Sequence, residues 1–265
     1  MLEVLLEREL NGGKVIAKAN QVWRLEIPKM REGRYVLAQI DDYIHLPRGK
    51  FPHQTPINFQ LDACVSGEDL PGTWGFGFWN DPFNLGLGVG GMSRVLPVLP
   101  NAAWFFYGSY QNYLSLREDQ PAAGFHVKVF SSPLIPSFMS LLAIPIFPLF
   151  AWPAATRLIR RMSKVFVKEE ASPLSIRVTE WHTYRLVWHT DKVQFEIDGK
   201  NVFKTRVSPR GKMGLVIWID NQFLRFGPDG KFGFGFLQTR SAQTLNLRNI
   251  KLSSNGGNWQ AITKY

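Results

Sequence analysis

Apolar and polar residues alternate with period two over most of the chain. The alternation runs through residues 22–27 and stops at Pro28, runs again from 35 to 44, and resumes from 57 to 65 ahead of a Gly/Pro-bearing turn at 67–72. Residues 73–79 alternate small with large, and apolar runs follow at 102–107, 112–116 and 125–130. Period-two patterning bounded by Gly, Pro, Asn and Asp is the signature of short half-buried strands. The clearest hairpin pairs 183–189 with 193–197 around Thr190-Asp191-Lys192, and Asp198-Gly199 turns the chain into 201–206. Runs at 213–219 and 244–252 complete the set. This many short strands predict an all-β chain, a sandwich or a barrel.

One segment breaks the period. Residues 129–156 contain no charged side chain, but Pro133, Pro136, Pro145, Pro148 and Pro153 argue against a straight membrane-crossing helix. Strands before and after this segment must also share a sheet, which places it as an insertion that lids an apolar pocket or dips into a membrane. Residues 154–168 then read as a helix. Arg157, Arg160, Arg161, Lys164 and Lys168 fall at i, i+3, i+4, i+7 and i+11, opposite Leu158, Ile159, Met162, Val165 and Phe166. A basic amphipathic helix beside an apolar hook predicts contact with a membrane through Phe147, Phe150, Trp152, Arg157, Arg160, Arg161 and Lys164. The expected organisation is one domain over 1–265 with the insertion at 133–168 inside it.

Composition sharpens this picture in three ways. Apolar residues make up 45% and charged residues 20%, a globular balance. Aromatics reach 14%, with 9 Trp and 20 Phe, enough to build a core and also line a pocket. The net charge of +10 is concentrated partly in the 154–168 helix, so an anionic membrane surface is the expected basic-face partner and nucleic acid is not. Cys64, the single cysteine, lies within the alternation and reads as a small buried hydrophobe. The acidic start of the chain lacks a basic n-region and an unbroken apolar h-region, so the cytoplasm is the expected compartment, with peripheral contact to the inner face of a membrane.

Two stretches carry a resemblance. The first runs from Phe59-Gln60-Leu61-Asp62 to Trp74-Gly75-Phe76-Gly77-Phe78-Trp79-Asn80-Asp81; the second is Trp181-His182-Thr183-Tyr184 to Phe195-Glu196-Ile197-Asp198-Gly199. They resemble the cleft strand and a hairpin of the family 16 glycoside hydrolases and their concanavalin A-like lectin relatives. The resemblance implies a two-sheet antiparallel jelly-roll sandwich, here with a hydrophobic, partly helical insertion. It also implies a nucleophilic Glu, a helper Asp and an acid/base Glu on one face of a strand soon after Trp79. The strand available, 102–108, has no carboxylate, and Glu196-Ile197-Asp198 sits at the later hairpin turn. Family 16 hydrolysis is therefore not expected.

The remaining candidates lie where the cleft would be. Trp74, Trp79, Trp104, Tyr107 and Trp218 would offer aromatic faces to a sugar or a more apolar ligand, with Asn80 and Asn221 bonding its polar groups. Asp81 and Asp220, meeting across the concave sheet, would form an acid/base pair. The leading expectation is a binding protein for a carbohydrate or apolar small molecule. The alternative is an enzyme on the same scaffold: a glycoside hydrolase with relocated carboxylates, or an isomerase or cyclase of a hydrophobic substrate using Asp81 or Asp220 as acid. Asp41 and Asp42 are adjacent in a strand and face apart; His126, His182 and His189 lack ligand spacing, so no metal or cofactor is expected. Gly86-Leu87-Gly88-Val89-Gly90-Gly91 lacks the strand-to-helix setting of a nucleotide loop and reads as a plain loop.

Overall fold

The computed structural model describes residues 5–18, 22–82, 98–135, 148–254, 257 and 259–261. The glycine loop at 86–91, and Phe147, lie outside them. Strands numbered in chain order form two large antiparallel sheets. The first has the order β1 (Leu6–Leu10), β4 (Leu37–Asp41), β13 (Gly214–Asp220), β6 (Thr73–Trp79), β7 (Ala102–Gly108), β8 (Gly124–Ser131), β9 (Lys168–Pro173). The second has the order β12 (Lys200–Thr205), β11 (Val193–Ile197), β10 (His182–Trp188), β5 (Ile57–Val65), β16 (Gln243–Ser254), β3 (Val22–Ile27), β2 (Lys14–Lys18), with β17 (Gln260–Ala261) on β16. A hairpin, β14 (Gln222–Phe226) with β15 (Phe232–Phe236), stands apart. The chain is a two-sheet jelly-roll sandwich, as expected, with one α-helix among the described residues, α1 (Pro153–Phe166), between β8 and β9.

Alternation explains the main core. Phe59, Leu61 and Ala63 of β5, Tyr184, Leu186 and Trp188 of β10, and Phe195 of β11 face Trp74, Phe76 and Phe78 of β6 and Leu215, Ile217 and Ile219 of β13. In β16 the parity slips, from Leu245 and Leu247 to Ile250 and Leu252. A bulge between Arg248 and Lys251, with Asn249 at φ 55°, supplies the extra residue and returns the apolar side chains to the core. Cys64 is buried, and burial raises its thiol pKa. Trp188 is in the core, whereas Trp181 is exposed, with the Arg248 guanidinium 4.4 Å from its ring centre.

A second, smaller apolar cluster lies on the other face of the seven-stranded sheet. Val216 and Trp218 of β13, Ala102, Trp104 and Phe106 of β7 and Phe130 of β8 pack there with Leu37, Tyr43, Phe51 and Val167. That face is roofed in part by 109–121, where residues 112–116 form no strand, only an isolated bridge from Tyr113 to Arg225. A buried ion pair pins this roof. Lys128 Nζ lies 3.0 Å from Glu169 and donates to Pro121 O, while Glu169 accepts Ser115 Oγ and Leu116 N, each at 2.7 Å. Burial lowers the Lys128 pKa, and the Glu169 charge opposes that shift.

The expected helix exists, but its docking is the reverse of the expectation. Thr156 and Arg160 form its buried side. Arg160 Nη1 donates to Ser115 O and to Phe226 O, both at 2.6 Å, and its guanidinium packs against the Tyr113 and Phe226 rings. Arg157 donates to Asp229 O and Lys164 lies 3.6 Å from Glu118. Lys168, expected at the helix end, begins β9 instead.

Candidate functional site

The outer face of the seven-stranded sheet carries a cleft of about 200 Å³. Its floor begins with β6. There Trp74, Phe76 and Phe78 point into the sandwich, so Thr73, Gly75, Gly77 and Trp79 face outward. The glycines leave the strand bare, and neighbouring rings occupy the space. A Cβ on Gly75 would collide with Phe105 O and come 2.8 Å from the Trp218 ring, one on Gly77 would collide with Ala103 O, and one on Gly214 would collide with the Tyr43 ring. Glycine in a strand does mark a close approach here, by the β7 backbone at Gly75 and Gly77 and by the Trp218 and Tyr43 rings at Gly75 and Gly214.

Three indoles result. Trp79 and Trp218 are nearly parallel, with centroids 6.4 Å apart and an interplanar angle of 6°. Trp104 lies against both, at 5.7 and 5.6 Å. Trp79 Nε1 donates to Tyr43 OH at 2.7 Å and Trp218 Nε1 to Thr73 Oγ1 at 2.9 Å, which fixes both rings. The Trp104 Nε1 is buried with no acceptor. Phe106, Phe130 and Val216 extend the floor, and Leu114 with Leu224 and Phe234 of the β14–β15 hairpin form an apolar wall. Arg8, Gln39, Asp81, Asp220 and Gln222 supply the polar rim.

Asp220 is the most perturbed acid of this rim. Its Oδ1 accepts Thr73 Oγ1 at 2.8 Å and the Thr73 and Gln222 amides at 3.2 Å; its Oδ2 accepts Tyr35 OH at 3.2 Å. Burial outweighs these bonds and pushes the carboxyl up to about 7. Burial and the neighbouring Asp220 also hold the Tyr35 hydroxyl well above its ordinary value. A carboxyl in this state can hold or give a proton near neutral pH.

The structure brings together part of the expected set. Trp79, Trp104, Trp218, Asp81 and Asp220 line the cleft. Trp74 and Tyr107 do not: they face the intersheet core, stacked with centroids 5.6 Å apart. They sit at the opposite parity of their strands from Trp79 and Trp104. Asn80 and Asn221 are spent on backbone. Asn80 donates to Leu99 O and accepts Asn101 N; Asn221 accepts Val36 N and donates to Arg34 O and Leu237 O. Asp81 and Asp220 are not a close pair. Asp220 is opposite Thr73 and Asp81 lies beyond Trp79, at opposite ends of β6. Six strand residues separate those ends by roughly 20 Å, against about 5–10 Å for a hydrolytic carboxylate pair.

The cationic candidates also change role. Arg160 is a buried anchor, Phe150 stacks on Phe232 at 4.7 Å, and Arg157 and Lys164 point at the domain; Trp152 and Arg161 are exposed. Residues that alternation alone passed over include Tyr35, Gln39, Tyr43, Phe106 and Phe130. Lys128 did carry a signal, a lone cation inside the apolar run 125–130. Among the described residues no cluster of three His, Cys, Asp or Glu side chains is placed to hold a metal.

No family model matches the chain, and no curated protein matches it. Solved structures similar in chain course include the endo-β-1,4-glucuronan lyase of Trichoderma reesei, at 10% identity over 94% of this chain and 90% of that one, TM-score 0.49. A family 16 glycoside hydrolase from the mixed-linkage glucan locus of Bacteroides ovatus is similar at 9% identity over 95% of both chains, TM-score 0.48. The laminarinase catalytic domain of Thermotoga maritima is similar at 10% identity over 96% of this chain and 93% of that one, TM-score 0.47.

Proposed function

We propose that the protein binds a carbohydrate unit in the outer-face cleft and does not cleave glucans by the family 16 route. The parallel Trp79–Trp218 pair lining the cleft carries this reading. A pyranose presents an apolar C–H face and a ring of hydroxyls, and the cleft presents an indole floor and a polar rim. A volume of about 200 Å³ suits one ring better than an extended polysaccharide. The Trp104 Nε1, buried without an acceptor, offers a hydrogen bond to a ligand oxygen. The test is tryptophan fluorescence titration with glucose, glucuronic acid, cellobiose and laminaribiose, alongside cyclohexanol as an apolar ring. Saturable quenching by a sugar, weakened at least tenfold in Trp218→Ala, is the expected result. Binding of cyclohexanol alone would overturn the carbohydrate assignment. Release of reducing sugar from laminarin or lichenan, lost in Asp81→Asn, would overturn the non-hydrolytic part.

A second reading rests on Asp220. A carboxyl titrating at about 7 beside an aromatic floor has the environment of a general acid toward a hydrophobic substrate, with Thr73 and Tyr35 positioning it. Turnover whose rate falls as pH rises through about 7, and which vanishes in Asp220→Asn, would favour this reading over simple binding.

A further inference from the structure

The amphipathic helix α1 is mounted with its apolar side outward. Leu158, Met162 and Val165 form a stripe at i, i+4 and i+7, flanked by Phe166 and by Arg161; Met162 is 56% and Val165 77% exposed. Ahead of the helix, Leu149 and Trp152 are exposed too. The polar side carries the docking, through Thr156 and the doubly bonded Arg160. A helix held only for stability would bury the opposite face.

A second feature adjoins the C-terminal end of this stripe. Where the β9 and β12 edges of the two sheets open, a trough of about 880 Å³ is lined by Lys168, Lys204, Arg206 and Arg210 against one carboxylate, Glu170. None of these four cations forms an ion pair among the described residues. The Thr55 and Thr190 hydroxyls, bonded to each other at 3.0 Å, also line it. Lys168 follows α1 by two residues, and at the trough's other side Gly211 packs under the exposed Leu134.

We propose that the outward stripe of α1 and this cationic trough are one docking surface for an anionic lipid bilayer. The helix lies in the interfacial plane with its aliphatic stripe in the acyl boundary, and the trough takes anionic headgroups. No helix among the described residues is long and apolar enough to cross a membrane, so the contact is peripheral. The charge pattern selects this occupant. A second copy related by twofold symmetry would bring four cations onto four. Residues 136–147 carry no charge and cannot neutralise the trough. The cations that engage lipid are thus Arg161, Lys168, Arg206 and Arg210, while Arg160 stays with the protein.

The test is co-sedimentation of the full chain with vesicles of phosphatidylcholine alone or with phosphatidylserine at three to one. Binding to the anionic vesicles that falls at least tenfold between 50 and 500 mM salt is expected, on the order of the sensitivity of several headgroup contacts. Met162→Glu with Val165→Glu should reduce partitioning at least tenfold, and Arg206→Glu with Arg210→Glu likewise. All four positions are exposed, so unchanged thermal melting serves as the folding control. Wild type remaining in the supernatant at 50 mM salt overturns the proposal. So does binding that survives either double substitution, or self-association in light scattering that the Met162→Glu and Val165→Glu pair abolishes without any vesicle binding.

Discussion

The seven-stranded sheet has two aromatic faces, and they differ in what closes them. The inner face, with Trp74, Phe76, Phe78, Phe105 and Tyr107, is covered throughout by the second sheet. Among the described residues, the outer face, with Trp79, Trp104, Phe106 and Trp218, is covered by loops, the β14–β15 hairpin and Val167 ahead of β9, and a cleft remains. Residue type does not separate a core from a site here. The surrounding groups do: the inner rings meet mainly other apolar side chains, while Trp79 and Trp218 are pinned through Nε1 and the cleft around them is rimmed by Asp220, Gln39 and Arg8.

The sharpest way to break that comparison is to truncate one ring on each face. Phe76→Ala leaves a cavity sealed on all sides and should cost about 3–5 kcal/mol in urea denaturation. Trp218→Ala opens onto the cleft, where the site can rehydrate, and should cost about 2 kcal/mol while removing ligand binding. Equal losses from the two would mean that the outer face is a second core and the cleft is incidental.

Asp220 gives the next largest effect. Its folded pKa of about 7 exceeds the ordinary carboxylate value of the unfolded chain, so the native state takes up a proton between about pH 7 and pH 4 that the unfolded state does not. The associated stabilisation, up to about 4 kcal/mol, is complete below pH 4 and lost as pH rises through 7. Wild type should therefore lose stability between pH 5 and pH 8, and Asp220→Asn should flatten that part of the profile. The Asn can keep the Thr73 and Gln222 bonds through Oδ1 and donate to Tyr35 from Nδ2. A wild-type profile that matches the Asn variant would place the ionised carboxylate in water.

The helix repeats the two-face comparison on a smaller scale. Arg160→Ala removes charge-assisted bonds to two carbonyls and should cost about 2–3 kcal/mol in stability. Arg161→Ala, one residue on but exposed, should stay within about 0.5 kcal/mol. A reversal of that order would mean that the basic face, not the aliphatic stripe, is the outward one.

Much of the fold was legible because period two identifies strands without tertiary information. It placed β3, β5, β6, β10 and β13 to within a residue or two, and the Asp198-Gly199 turn adopts the positive φ values such a turn needs, 51° and 75°. Alternation gives parity but not its sign when both faces are apolar; parity alone does put Trp74 and Trp79, five residues apart in β6, on opposite faces, so both could not line one cleft. Helical periodicity likewise found the basic side of α1 and could not say which side docks. That is decided by the carbonyls of Ser115 and Phe226, far away in sequence. The β14–β15 hairpin was missed although Pro228-Asp229-Gly230 marks its turn, and with it went one wall of the cleft.

The glycine floor also limits how this cleft can change. Gly75 and Gly214 sit under a ring and Gly77 under the β7 backbone, none with room for a methyl group. The floor therefore has no graded neighbours in sequence space: a single added carbon displaces a ring or the β7 backbone outright. Retuning toward a new ligand must proceed from the rim and the hairpin, through Arg8, Gln222 and Phe234, since Gln39 is buried in β4 and donates to Asp41. A selection experiment on this scaffold would accumulate its substitutions there and leave the three glycines untouched.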